Sequence, residues 1–130
     1  MEIVRRVYEA RGDPEAVLTY YNPDVEFDAS RFPFGRLVGG AGIYHGHQGL
    51  RRFFREYYSA WSEIEDDYEE LIDAGESVIS VVTARGRGRR SGVEVATSSA
   101  AVWTIRDGKI VRVVWFQTRD DALEAGGLSE

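Results

Sequence analysis

The stretch that most constrains the fold is Val93 to Thr118, where two runs of β-branched and aromatic residues flank Asp107-Gly108. Asp-Gly supplies the two positive-φ residues of a type I′ turn, so the stretch is predicted to be a β-hairpin with a two-residue loop. Such a loop sets the register: Arg106 faces Lys109, Ile105 faces Ile110 and Val102 faces Val113. Strand side chains alternate, so one face carries Ser98, Ala100, Val102, Thr104, Val111, Val113, Trp115 and Gln117. The other carries Ser99, Ala101, Trp103, Ile105, Ile110, Arg112, Val114 and Phe116. Both faces are largely apolar, whereas an antiparallel sheet with one side in water shows one polar face. Each side therefore needs a cover. Helices and an apolar cavity are expected over the first. A second copy of the chain is expected over the second, in a homodimer through Trp103, Ile105, Val114 and Phe116.

The rest of the chain supplies those helices. Ile3, Val4, Val7 and Tyr8 form one stripe of a helix over 2–10. Asp13 caps and Pro14 opens a second helix, expected to run to about Tyr21 and to end at Asn22-Pro23. A short strand over Val25–Asp28 follows. Residues 29–44 show no period and contain Gly35, Gly39, Gly40 and Gly42 with Phe32 and Phe34, which predicts either a lid or a poorly ordered loop. Leu50, Phe53, Phe54, Tyr57, Tyr58 and Trp61 fall on one face of a helix over 47–61. Residues 63–74 read as a strand whose Glu63, Glu65, Asp66, Asp67, Glu69 and Glu70 form a solvated edge. Ser77 to Gly88 is a further strand, and Asp120 to Ala125 a short terminal helix. Helices followed by antiparallel strands give an α+β layout, and 130 residues suit one domain over 1–130.

Composition narrows the function. There is no cysteine, which removes thiolate metal sites and a cysteine nucleophile. The net charge of −6 argues against nucleic acid or an anionic membrane as partner. No apolar run reaches membrane-spanning length and no signal-peptide core is present, so a cytoplasmic location is expected. Three Trp, seven Tyr and six Phe exceed what a core this size needs and fit an apolar pocket.

Several segments carry a family pattern: VRRVYEARGDPEAV, NPDVEFD, IYHGHQGLRRFF, IDAGESVISVVTARGRG and VWTIRDGKIV. Together they resemble the SnoaL-like branch of the nuclear transport factor 2-like superfamily, which includes polyketide cyclases, ketosteroid isomerases and limonene epoxide hydrolases. The resemblance implies a cone-shaped α+β fold, with a strongly curved, mostly antiparallel sheet closed by N-terminal helices around an apolar pocket. It also implies dimers through the outer sheet face and a general base at or next to Asp28. The isomerases' oxyanion donors do not carry over: their positions fall near Arg5 and within Ala100-Ala101-Val102, and a supporting tyrosine falls on Phe54. The epoxide-hydrolase set lacks a suitably placed asparagine, since Asn22 lies in a turn.

The candidate site follows. Asp28 ends an apolar strand beside the lid, where burial would raise its pKa toward a working base. The plainer reading is a turn carboxylate. His45 could carry a proton or bond a ligand, while His45 and His47 lack a third ligand for a metal, so no metal and no cofactor are expected. Trp115, Gln117 and Ser98 share the proposed cavity face, with Gln117 suited to orienting a carbonyl. Tyr21, Phe54, Tyr57 and Trp61 are core residues by spacing and become ligand contacts where core meets pocket. Arg85, Arg87, Arg89 and Arg90 read as a solvated turn tip. The expected function is binding of a small hydrophobic molecule, with isomerase- or cyclase-type acid–base chemistry on a carbonyl or hydroxylated compound. The alternative is a non-catalytic binding or dimerisation module.

Overall fold

The structure is a computed structural model that describes residues 1–31 and 42–128. In chain order the elements are α1 (Glu2–Glu9), α2 (Pro14–Leu18), β1 (Tyr21–Asp28), β2 (Ile43–His45), α3 (Gly46–Ser59), β3 (Trp61–Asp73), β4 (Ser77–Gly88), β5 (Glu94–Arg106), β6 (Lys109–Phe116) and α4 (Arg119–Ala125). The strands form one six-stranded sheet in the order β2-β1-β6-β5-β4-β3. Strand β1 runs parallel to β6, and the other pairs are antiparallel. The α+β topology holds, but the expected cone does not. Among the described residues, strand β2 pairs only with β1 and β3 only with β4, so the sheet is open and is not strongly curled. The lid expected over 29–44 falls mainly on residues 32–41, which lie outside the described residues.

Two boundaries differ from the periodicity. Helix α2 stops at Leu18, and Tyr21 opens β1 opposite Ile110. The amide of Ile110 donates to the Tyr20 carbonyl at 3.0 Å, so sheet pairing captures the tyrosine before another helical turn can form. Trp61 likewise begins β3 instead of ending α3. Its ring lies over Gly86, where a Cβ would stand 2.7 Å from it, so only glycine leaves it room. Arg89 donates to the carbonyls of Ser59 and Trp61 at 3.0 and 2.9 Å. One residue of the arginine-rich turn thereby secures the negative end of α3.

The hairpin turn forms as its sequence dictates, with positive φ at Asp107 (53°) and Gly108 (76°). The register then changes. Ile105 pairs with Ile110 but Thr104 with Arg112, which makes Val111 a bulge. Beyond it Trp103 pairs with Val113, Val102 with Val114 and Ala101 with Trp115. This corrects the predicted faces. Trp103 and Ile105 lie on the same side as Val113 and Trp115, in the main core with Val78, Val82 and Ala84. They are therefore not on the outer face assigned to a dimer. Ala100, Val102 and Phe116 occupy that face with Ile79 and Val81, and the chain's own α4 covers it through Ala122 and Leu123. Thr118 caps α4 by accepting from the Asp121 amide at 3.1 Å.

Candidate functional site

Helices α1 to α3 cover the main-core side of the sheet, and a cavity of about 90 Å³ lies beneath them. Its sheet wall includes Phe27, Val82, Ala84, Trp103 and Trp115, and its helix wall includes Val7, Tyr8, Val17, Phe53 and Tyr57. Ring contacts brace these walls. Phe53 stacks on Tyr57 with centroids 5.6 Å apart, and Trp103 meets Tyr8, Tyr21 and Trp115 at 6.0 to 6.4 Å. Ser80, fully buried on β4, anchors two of the rings. Its hydroxyl accepts from the Tyr8 hydroxyl at 3.0 Å and from Trp103 Nε1 at 2.8 Å.

Among the described residues, Asp66 is the only carboxylate lining this cavity. Strand β3 presents it between Ile64 and Tyr68, which also pack on the main core. Its side chain is 21% exposed. One oxygen accepts from the Tyr58 hydroxyl at 3.2 Å, and the other lies 3.4 Å from Arg11 Nε. Burial raises the Asp66 pKa above the ordinary aspartate value, and Arg11 and the Tyr58 hydrogen bond offset part of the rise. Burial also pushes the hydroxyls of Tyr8, Tyr21, Tyr57 and Tyr58 upward, so all four stay protonated and can donate. Tyr21 takes no hydrogen-bond partner at its hydroxyl among the described residues, and Tyr8 and Tyr58 lie near it. The combination is an oily chamber holding one poised carboxylate and several neutral donors. That suits moving a proton on an apolar molecule.

The sequence-predicted residues divide. Tyr21, Phe54, Tyr57 and Trp115 line the cavity. Trp61 is buried in the core and is not part of the lining. The alternation along β5 leaves Ser98 exposed and turns Ser99 inward to the lining. Gln117 is exposed past the end of β6. Asp28 pairs with Val114 while its neighbour Phe27 pairs with Val113. Since Phe27 faces the cavity, Asp28 faces the opposite side of the sheet. There it accepts from the Ser30 amide and hydroxyl at 3.0 and 2.6 Å and lies 3.8 Å from Arg31 Nη1. His45 is exposed at the start of α3, and His47 Nε2 lies 2.9 Å from the Tyr21 carbonyl oxygen. No group of three or more His, Cys, Asp or Glu is placed to hold a metal among the described residues, and no described helix is long and apolar enough to cross a membrane.

Comparison with known proteins follows this geometry. No curated protein matches. An NTF2-like protein of unknown function from Burkholderia pseudomallei superimposes with a TM-score of 0.79 at 25% identity, over 95% of this chain and 94% of that one. An NTF2-like protein from Burkholderia thailandensis does so with 0.78 at 29%, over 98% and 94%. TerC, crystallised with polyporic acid, shares the fold with 0.76 at 23%, over 97% and 96%. The family profile described as "SnoaL-like domain" matches residues 4–113. The chain belongs to the SnoaL-like family and has the NTF2-like fold.

Proposed function

We propose that this protein binds a small apolar carbonyl compound in the cavity and moves a proton on it, as isomerases and cyclases do, with Asp66 as the acid–base group. The observation that carries this reading is the position of Asp66, the cavity's carboxylate, held among aromatic side chains with a raised pKa. In the proposed step Asp66 takes a proton from a carbon next to the carbonyl. The C–H electron pair becomes a C=C bond and the carbonyl π pair moves to oxygen. A neutral tyrosine hydroxyl, for which Tyr21 is suited, stabilises the developing oxyanion, and Asp66 returns the proton to carbon. Asp66 takes this role in preference to Asp28 and His45, neither of which lines the cavity. A cavity of about 90 Å³ suits a one-ring compound better than a polycyclic one.

The test is deuterium wash-in from D2O into cyclohexanone, with wild type against Asp66→Asn. Catalysed exchange that falls by about 10²–10⁴-fold in the variant, the range for a lost general base, supports the reading. Equal exchange in both proteins would remove Asp66 from the chemistry. A purely binding role is the second reading, favoured by the partners Arg11 and Tyr58 that already occupy Asp66. Binding of cyclohexanone with no exchange above buffer would support it. Self-association through the outer sheet face belongs to the same proposal in a reduced form, since α4 covers part of that face. Sedimentation at micromolar concentration should then give a dimer, and a strict monomer would refute it.

A further inference from the structure

The wall that holds Asp66 has a second side. A surface groove of about 660 Å³ shares Arg11, Pro14, Phe54, Tyr58 and Asp66 with the cavity. The groove therefore adjoins the cavity along these residues and is read as its vestibule, with the Arg11–Asp66 pair between the two. The groove also contains Arg51, Arg55 and Glu15. Helix α3 places Arg51 and Arg55 one turn apart, on the flank next to Phe54 and Tyr58. Arg51 is occupied, since it grips Glu15 in a bidentate pair at 3.0 and 3.1 Å. Arg55 is exposed and has no ion-pair or hydrogen-bond partner among the described residues. Arg11 is 40% exposed; its Nη1 donates to the Tyr8 carbonyl at 2.5 Å and its Nε lies 3.4 Å from Asp66, which leaves further donors of the guanidinium toward the groove. Three guanidinium groups face two carboxylates, so the vestibule is locally positive on a chain of net charge −6.

We infer that the ligand is a one-ring carbonyl compound that also carries a carboxylate, whose ring enters the aromatic cavity and whose anionic head stays in the groove on Arg11 and Arg55. The inference rests on the cavity reading above and adds the head group. The dimensions agree: the aromatic chamber takes an apolar body of ring size, and the open groove takes a charge that keeps part of its hydration. Arginine matches a carboxylate in a planar fork, which gives orientation as well as attraction. A head fixed at the threshold would direct the ring's reacting carbon toward Asp66.

Isothermal calorimetry with phenylacetate, its neutral isostere phenylacetamide, benzylamine and inorganic phosphate tests this on the full chain. Phenylacetate should bind about tenfold more tightly than phenylacetamide, as expected for one charge-assisted contact at a partly wet site. Arg55→Gln, a change at an exposed position, should weaken phenylacetate about fivefold and leave phenylacetamide unchanged, and Arg55→Lys, which keeps the charge but loses the fork, should fall between wild type and Arg55→Gln. Equal affinity for acid and amide would overturn the head-group assignment while the cavity reading stands. Tighter binding of benzylamine would overturn it in favour of a cation. Phosphate that competes as well as phenylacetate would overturn it by showing an anion site indifferent to the ring. Failure of all three ring compounds to bind would overturn both readings.

Discussion

Asp66 is the residue on which the function turns, and its environment has a stability cost that can be measured. An aspartate with a native pKa above its unfolded one binds more protons when folded, so it loses stability as pH rises through the native value. The Asp66→Asn side chain cannot ionise, and the partly exposed Arg11 left behind keeps its hydrogen bond to the Tyr8 carbonyl and reaches water with the rest of its guanidinium. Urea unfolding should therefore show the variant more stable than wild type at pH ~7, and the gap should close as pH falls toward about 4, the ordinary aspartate pKa. A variant less stable at neutral pH would mean that the Arg11 pair outweighs desolvation. Ser80→Ala is predicted to act in the other direction. It strands the Tyr8 hydroxyl and Trp103 Nε1, both buried donors, and should cost about 1–3 kcal/mol in the same assay. Asp66 was legible in the sequence by parity, since it alternates with Ile64 and Tyr68. The acidic run around it hid that signal, because Glu63, Glu65 and Asp67 do point to solvent. The Arg11 contact was not legible, as it joins the end of α1 to a strand distant in sequence.

At the level of elements, the hairpin shows how one residue redistributes a face. The Asp-Gly turn and its first two pairs follow from local chemistry, whereas a bulge three residues beyond the turn has no glycine or proline to mark it. Because Val111 is the inserted residue, its loss should restore a regular ladder without reversing either strand: Ile110, Val113 and Trp115 would keep the cavity side. Deleting Val111 should therefore leave a folded protein with native-like near-ultraviolet circular dichroism from the tryptophans. Deleting Val114 should not, since it turns Trp115 out of the core. If both deletions unfold the chain equally, the bulge is not where the pairing puts it. Helix α4 is the second element with a clear consequence. Its sequence reads as a short capped helix, but nothing local indicates that it covers Ile79 and Val102. Truncation after Thr118 should expose that apolar patch and produce aggregation or dye binding, seen by light scattering and anilinonaphthalene sulfonate fluorescence.

Across the molecule, one sheet divides two apolar compartments. The larger lies under α1 to α3 and keeps a cavity; the smaller is filled by α4. The need to cover both faces was legible from hairpin composition alone. The identity of the second cover was not, because a terminal helix and a second subunit satisfy the same apolar requirement. The open sheet has a similar lesson. Strand lengths and turns predict pairing between neighbours, while curl and closure depend on how the whole array is twisted and on whether its edge strands meet. Function follows from this division, because the compartment with space left in it is also the one that contains Asp66. The most direct measurement is a carbon-13 NMR titration of the Asp66 carboxyl in the free protein and with cyclohexanone bound. We expect a midpoint above the ordinary aspartate value of about 3.9 that moves further when the ketone enters. A midpoint at the ordinary value, unmoved by ketone, would contradict the account.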